Sequence, residues 1–378
     1  MPPLPPKSAL TRAPLPTLAR KGRGAASNPA IRYETLSAEP FDDGWGALDQ
    51  DVAEAPAPRT ELTRETSHSA LTYNESPDLG FDRSLNPYRG CEHGCVYCYA
   101  RPAHAYVGLS PGLDFETRIL FKPDMPARLE AELSRPGYVP RPVALGANTD
   151  AYQPVERTLR ITRALLEVLD RFHHPVTIVT KSAGILRDLD ILSRMAARNL
   201  VRVALSVTTL DPRLARTLEP RAATPPRRLQ AIRELAAAGV PTSVLMAPLI
   251  PALNDHEIEA VLEAGAGAGA ASGGYVLLRL PLEIAALVEE WLRQHAPARA
   301  DHVLSLVRQT RGGALYRSGF GERQVGTGPY AALLAQRFAL ALRRFGLDRR
   351  RGGTAKLDCG QFRVPEGARE GTGQLRLI

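Results

Sequence analysis

Three of the four cysteines in this chain crowd into one short run, Gly90-Cys-Glu-His-Gly-Cys-Val-Tyr-Cys-Tyr-Ala-Arg101. Cys91, Cys95 and Cys98 have the spacing C-x3-C-x2-C. Thiolates this close on one loop suit an iron–sulfur cluster, whose irons take cysteine ligands and usually four of them. Three local ligands leave one iron open to something else, which turns an electron carrier into a reaction centre. Other chemistries compete. Three clustered thiols cannot pair among themselves, and only Cys359 is left over, so a disulfide framework fits poorly. A structural zinc ion wants four ligands, and His93 or Cys359 could complete such a set. Gly90 and Gly94 mark the segment as a loop and not as a core element that merely buries thiols.

With Tyr97 directly before its third cysteine, this loop resembles the cluster loop of the radical S-adenosylmethionine (SAM) superfamily. The run from Gly90 to Arg101 is most similar to the spore photoproduct lyase-like branch of that superfamily. The resemblance covers roughly residues 80–345, a barrel-sized span. It implies a [4Fe–4S] cluster on Cys91, Cys95 and Cys98, with SAM as second cofactor. It also implies reductive cleavage of SAM, abstraction of a substrate hydrogen atom, and an external one-electron reductant such as flavodoxin or ferredoxin.

The same resemblance assigns partners for SAM at the carboxyl ends of successive strands, and each has a plainer reading beside it. Asn148, Thr149 and Asp150 would face the methionine amino group, or simply cap the next helix. Lys181 matches a lysine that holds the methionine carboxylate; otherwise it is an ordinary surface lysine. Ser206 and Thr208 would meet the ribose, or bond to local backbone. Met246, with the apolar stretch 248–253 after it, would wall the adenine, and Asp255 could cap the following helix. Tyr97 and Tyr99 flank Cys98, and one of them would line the adenine pocket; aromatic packing is the alternative. One position departs from the branch. Where spore photoproduct lyase carries a hydrogen-donating cysteine, before its Ser-Asp pair, this chain has Asn148 before Thr149-Asp150. Repair of thymine dimers is thereby in doubt, and no catalytic hydrogen donor is assigned. Cys359 reads as a free thiol and not as a cluster ligand.

These residues need a scaffold. Short β-branched runs at 142–146, 175–180, 200–207, 240–246 and 275–279, together with 83–89 before the cysteines, alternate with amphipathic stretches. Strands alternating with helices predict a parallel sheet. Six such units fit an α/β fold, an open partial (β/α)6 TIM-like barrel, which is also the fold that the resemblance implies. Ligands of such sheets gather at the carboxyl ends of the strands. Amphipathic helices are expected at 282–295 and 328–345.

The expected organisation is a disordered tail over 1–60, Pro/Arg-rich and then acidic. A barrel with its Fe–S loop at 90–101 follows over 61–282. A helical extension with an irregular basic tail occupies 283–378. Arg343, Arg344, Arg349, Arg350 and Arg351 form a basic cluster that suits phosphate contacts or simply a helix C-terminus. The net charge of +8 favours polyanionic partners, weakly. No apolar run is long enough to span a bilayer, so a cytoplasmic monomer without membrane contact is expected. Nucleic acid is the favoured substrate class. A radical enzyme acting on a small metabolite, peptide or protein is the second reading, and a non-catalytic metal-dependent binding protein is the third.

Overall fold

The computed structural model describes residues 22–33, 59–348 and 356–366. Six parallel strands run in chain order: β1 (Arg83–Leu85), β2 (Val143–Leu145), β3 (Val176–Thr180), β4 (Val201–Ser206), β5 (Thr242–Leu249) and β6 (Ser272–Leu277). Each pairs with the next in parallel register, from Arg83 opposite Val143 through to Ser272 opposite Ser243. The order is thus a singly wound sheet, curled around one side, in which β1 and β6 do not meet. This is the open six-unit β/α barrel. Thr72–Tyr73 adds an antiparallel strand beside β1. On the opposite edge, the Leu277 N–H donates to the Gln324 carbonyl at 2.8 Å, so a loop covers part of β6.

The strands form because their inward positions are branched or aliphatic and fully buried: Val143, Leu145, Val176, Ile178, Val201, Val203 and Leu205. Helices α1 (Met125–Leu133), α2 (Ile161–Arg171), α3 (Leu189–Ala197), α4 (Pro225–Ala237) and α5 (Ile258–Gly267) cross between them. Their apolar stripes, such as Leu165, Leu166 and Leu169 on α2, close one continuous core. Strand β5 outlasts the expected end at residue 246 by three residues and runs to Leu249.

Three helices follow: α6 (Ile284–His295), α7 (Ala300–Gln309) and α8 (Gly328–Arg344). The second of these was not foreseen. They are not a separate appendage. Trp291, Leu287 and Val303 share an apolar cluster with Cys95, Val96 and Tyr97, and the Trp291 indole donates to the Thr217 carbonyl at 3.0 Å. Helix α8 lies on α5, with the Phe338 ring 4.7 Å from Tyr275 and Arg337 paired to Glu259 at 2.8 Å.

The expected tail over 1–60 needs a correction. Gly24 and Ala25 lie against the cysteine loop, with Ala25 only 2% exposed, and residues 27–29 lie against 110–114. The rest of that tail, apart from 22–33 and 59–60, lies outside the described residues, as do Arg349, Arg350 and Arg351 of the basic cluster. Among the described residues no helix is long and apolar enough to cross a membrane.

Candidate metal and cofactor site

The cysteine loop is held at both ends. Tyr88–Arg89 pairs antiparallel with Arg118–Phe121, which carries Glu61–Arg64 on its other side. Just beyond, the Cys91 N–H donates to the Phe115 carbonyl at 2.8 Å. At the far end a short 3-10 helix, Arg101–Val107, takes the chain away. Between them Gly94 sits at φ +68°, where a Cβ would come within 2.7 Å of the Glu116 carboxylate.

Glu116 is the loop's anchor and was not singled out from the sequence. It is fully buried and ion-paired to the equally buried Arg101 at 2.5 Å. Arg101 in turn donates to the carbonyls of Cys95 (2.8 Å), Pro111 (3.0 Å) and Gly112 (2.8 Å). The other demand on Glu116 comes from the N-terminal strap. The Gly24 and Ala25 N–H groups donate to its two oxygens at 3.0 and 2.8 Å. A Cβ on Gly24 would lie 1.8 Å from the Gly94 carbonyl oxygen, so only glycine permits this approach. The run Arg23-Gly-Ala-Ala-Ser27 therefore lies directly over the loop that holds the thiols.

Cys91 and Cys95 are buried and Cys98 is half-buried. Burial, the nearby Asp150 carboxylate and the other two thiols push the Cys91 thiol far up. Burial pushes Cys95 up to about 12, against the pull of Lys181. Such thiols stay protonated until a metal displaces the protons. Among the described residues no three His, Cys, Asp or Glu side chains gather closely enough to chelate a single ion. Three soft donors on one glycine-bearing loop fit an iron–sulfur cluster.

Lys181 directly follows β3 and turns toward the loop. Its Nζ lies 5.8 Å from the centre of the Tyr97 ring. Burial lowers its pKa, but Cys95 and Glu219 outweigh that and leave the net shift upward, so the ammonium stays charged beside the thiols. In the Asn148–Asp150 turn, Thr149 and Asp150 are engaged by local hydrogen bonds. Thr149 is buried and donates to the Tyr88 carbonyl at 2.9 Å. Asp150 accepts from the Tyr152 N–H (2.9 Å), the Thr180 hydroxyl (2.7 Å) and the Lys181 N–H (2.7 Å), and His93 Nδ1 lies 3.3 Å away. Burial raises this carboxyl, but His93 and these donors outweigh it and hold it well below the usual range. Both residues brace the strand tips, as their local hydrogen-bonding chemistry allows. Of the three, Asn148 keeps its side-chain amide free of hydrogen bonds among the described residues, while its N–H donates to Asn86 at 2.8 Å.

Of the ribose candidates, the Thr208 side chain is taken up by Glu219, while Ser206 is engaged through its backbone carbonyl. Ser206 and Thr208 are both buried. The Thr208 hydroxyl donates to Glu219 at 2.6 Å, and the Ser206 carbonyl accepts from Arg228 at 2.9 Å. Glu219 also takes the Tyr97 hydroxyl and the Arg228 guanidinium. Burial raises Glu219, but Arg228 and Lys181 more than compensate and hold it at about 2. Met246 is fully buried in the core, and the tip of β5 is instead formed around Pro248 and Ile250, fastened to β4 by Asn254 through the Thr208 carbonyl at 2.8 Å. Tyr97 is buried and Tyr99 is 49% exposed, its hydroxyl donating to the Ala147 carbonyl. A cavity of about 540 Å³ borders the loop at His93, Ser182 and Arg221, within the usual size range of ligand pockets.

Cys359 lies at the other end of the molecule. Its neighbour Asp358 donates its N–H to the Asn199 carbonyl at 3.0 Å, in the turn that precedes β4. The thiols of the loop follow the carboxyl end of β1. Cys359→Ala is therefore expected to leave the iron content and the electron paramagnetic signal of the reduced cluster unchanged. Loss of iron from that variant would refute the placement.

A family model described as the radical SAM superfamily matches residues 85–265. Those residues span β1 to α5 and include all three loop cysteines. The chain carries a radical SAM domain. The chain is similar to an uncharacterized protein of Mycobacterium tuberculosis, 39% identical over 194 residues, which are 51% of this chain and 57% of that one. A Methanocaldococcus jannaschii protein is 26% identical over 173 residues, 46% of this chain and 62% of its own length. The chain thus spans less than two thirds of these curated relatives. Among solved structures, a variant of spore photoproduct lyase superposes with a TM-score of 0.55 at 16% identity, covering 76% of this chain and 80% of the other. Spore photoproduct lyase complexed with dinucleoside spore photoproduct gives 0.54 at 16%, over 75% and 79%. At this identity the likeness is one of fold, and the radical SAM domain takes the same partial-barrel form.

Proposed function

We propose that the protein is a radical SAM enzyme whose substrate is a nucleic acid, working as a monomer in the cytoplasm with an external one-electron donor. The observation that carries the radical SAM reading is the cysteine loop within the matched domain. When bound, a [4Fe–4S] cluster and SAM would supply a carbon radical able to take a hydrogen atom from substrate. Cys91, Cys95 and Cys98 would hold the cluster. Lys181 would orient the SAM carboxylate, and the free amide of Asn148 would serve the amino end. Glu219, Arg228 and Tyr97 keep the floor beneath Lys181 rigid and charge-balanced. The strap over the loop keeps water from the buried thiols.

The nucleic-acid reading rests on the basic net charge and on spore photoproduct lyase, a fold neighbour solved with a dinucleoside. Thymine-dimer repair is not proposed, because Asn148 replaces the donor thiol and Cys359 lies at the opposite end of the strands. Lys181→Ala tests the cofactor assignment. Losing a hydrogen bond to a charged group costs about 1.5–3 kcal/mol, roughly ten- to hundred-fold in affinity. Calorimetric titration of reconstituted protein with SAM is expected to show that loss with iron content intact. An unchanged dissociation constant would mean that the carboxylate is held elsewhere.

A further inference from the structure

Among the described residues the structure buries three arginines almost completely: Arg101, Arg228 and Arg311. Two are neutralised, Arg101 by Glu116 and Arg228 by Glu219. Arg311 is not. Its guanidinium donates only to backbone carbonyls, those of Glu322 (2.8 Å), Leu278 (3.0 Å) and Leu277 (3.3 Å). Its Nε is buried without any partner. The Glu322 side chain attracts Arg311 electrostatically but forms no ion pair with it.

A second cation stands beside it. Arg279 comes two residues after β6, and its Nε is also buried and unpartnered. Its guanidinium lies 5.4 Å from the centre of the Tyr99 ring and 6.0 Å from that of Tyr316. Burial and the Arg279 charge bring Arg311 down to about 10, still protonated at neutral pH. Two adjacent guanidinium groups without a carboxylate are costly in a protein interior. They are sustainable where an anion completes them.

The place of the pair narrows the anion. Tyr99 directly follows Cys98, so the pair faces the cysteine loop. It sits at the sixth strand, while Lys181 sits at the third, with β4 and β5 between. The SAM carboxylate assigned to Lys181 is therefore a different anion. Arginine forks match phosphate oxygens two at a time. Flanking tyrosine faces are the stacking platforms that unpaired bases use.

We infer that Arg279 and Arg311 form a phosphodiester site for an unstacked nucleic-acid strand, with a base against Tyr99 or Tyr316, beside the cluster loop. The inference rests on the nucleic-acid reading above. The test is anisotropy of a fluorescent oligothymidylate titrated with anaerobically reconstituted protein at two salt concentrations. Arg279→Gln is expected to weaken binding about ten-fold or more, and to lower the salt dependence by about one phosphate contact. SAM affinity, measured in parallel, is expected to hold. Arg279→Lys keeps the charge but loses the fork, and is expected to keep the salt dependence while losing part of the affinity. If wild type binds and Arg279→Gln binds with equal affinity and equal salt dependence, the site is wrong and the nucleic-acid reading stands. If wild type fails to bind at low salt, the nucleic-acid reading itself falls, and this site with it.

Discussion

Alanine at any one of Cys91, Cys95 or Cys98 is expected to abolish the brown chromophore and all cleavage of SAM. The loop's thiols are the three soft donors that Tyr88–Arg89 and the Arg101–Val107 helix hold at its ends. Cys91 and Cys95 are strongly raised by burial, so an unmetallated loop keeps neutral thiols in an apolar pocket and gains little by binding hard cations. Iron–sulfur ligation releases those protons and uses every thiol present. No fourth cysteine can step in, because Cys359 belongs to the amino end of the sheet. Iron and acid-labile sulfide assays after anaerobic reconstitution check this. A triple variant that keeps full iron content would remove the basis of the assignment.

Glu116→Ala is expected to destabilise the fold by about 3–5 kcal/mol, the usual cost of leaving one member of a buried ion pair alone. The position is unusually exposed to such a loss. Glu116 is fully buried, neutralises Arg101, and receives the N–H groups of Gly24 and Ala25. Without it, Arg101 keeps its charge in the interior and the strap loses both of its anchoring bonds. The loop should then open to water, so iron retention in air should fall along with the denaturation midpoint. Gly24→Val should reproduce the iron loss with a smaller change in midpoint, since overpacking commonly costs about 1–3 kcal/mol. A Glu116→Ala protein within about 0.5 kcal/mol of wild type, the range of ordinary surface changes, would show that the strap and loop are independent.

Most of the parallel strands were legible because each is a short apolar run rich in branched residues, and its length and flanking turn residues set it apart from the longer helices around it. The end of β5 was not, since Pro248 reads as a terminator; it is tolerated there because the pairing with β6 shifts register between Tyr275 and Leu277, opposite it. The thiol ligands were legible from spacing. Asp150, Thr149 and Thr208 have the right residue types at the right strand ends, yet their oxygens answer to Lys181, Tyr88 and Glu219. Tyr88 lies on the strand before the cysteines, Lys181 just after β3 and Glu219 just after the helix 212–218, and pairings of this kind leave no trace in local sequence. The strap escaped for a different reason. Arg23-Gly-Ala-Ala-Ser27 has no hydrophobic period, and it is held by backbone contacts with Gly94 and Glu116, so its composition resembles a linker. Its one available signal is a run of small residues after a glycine, which a close backbone approach requires. Arg228 and Arg311 were not singled out in the sequence, because arginine is rarely interior.

This loop and the strand tips around it are expected to carry radical SAM chemistry. The direct measurement is 5′-deoxyadenosine released when anaerobically reconstituted, dithionite-reduced protein is incubated with SAM. Wild type is expected to release 5′-deoxyadenosine together with methionine, and the triple cysteine variant neither. Iron-replete wild type that releases none with or without oligonucleotide, or protein that carries zinc in place of iron after anaerobic purification, would contradict it.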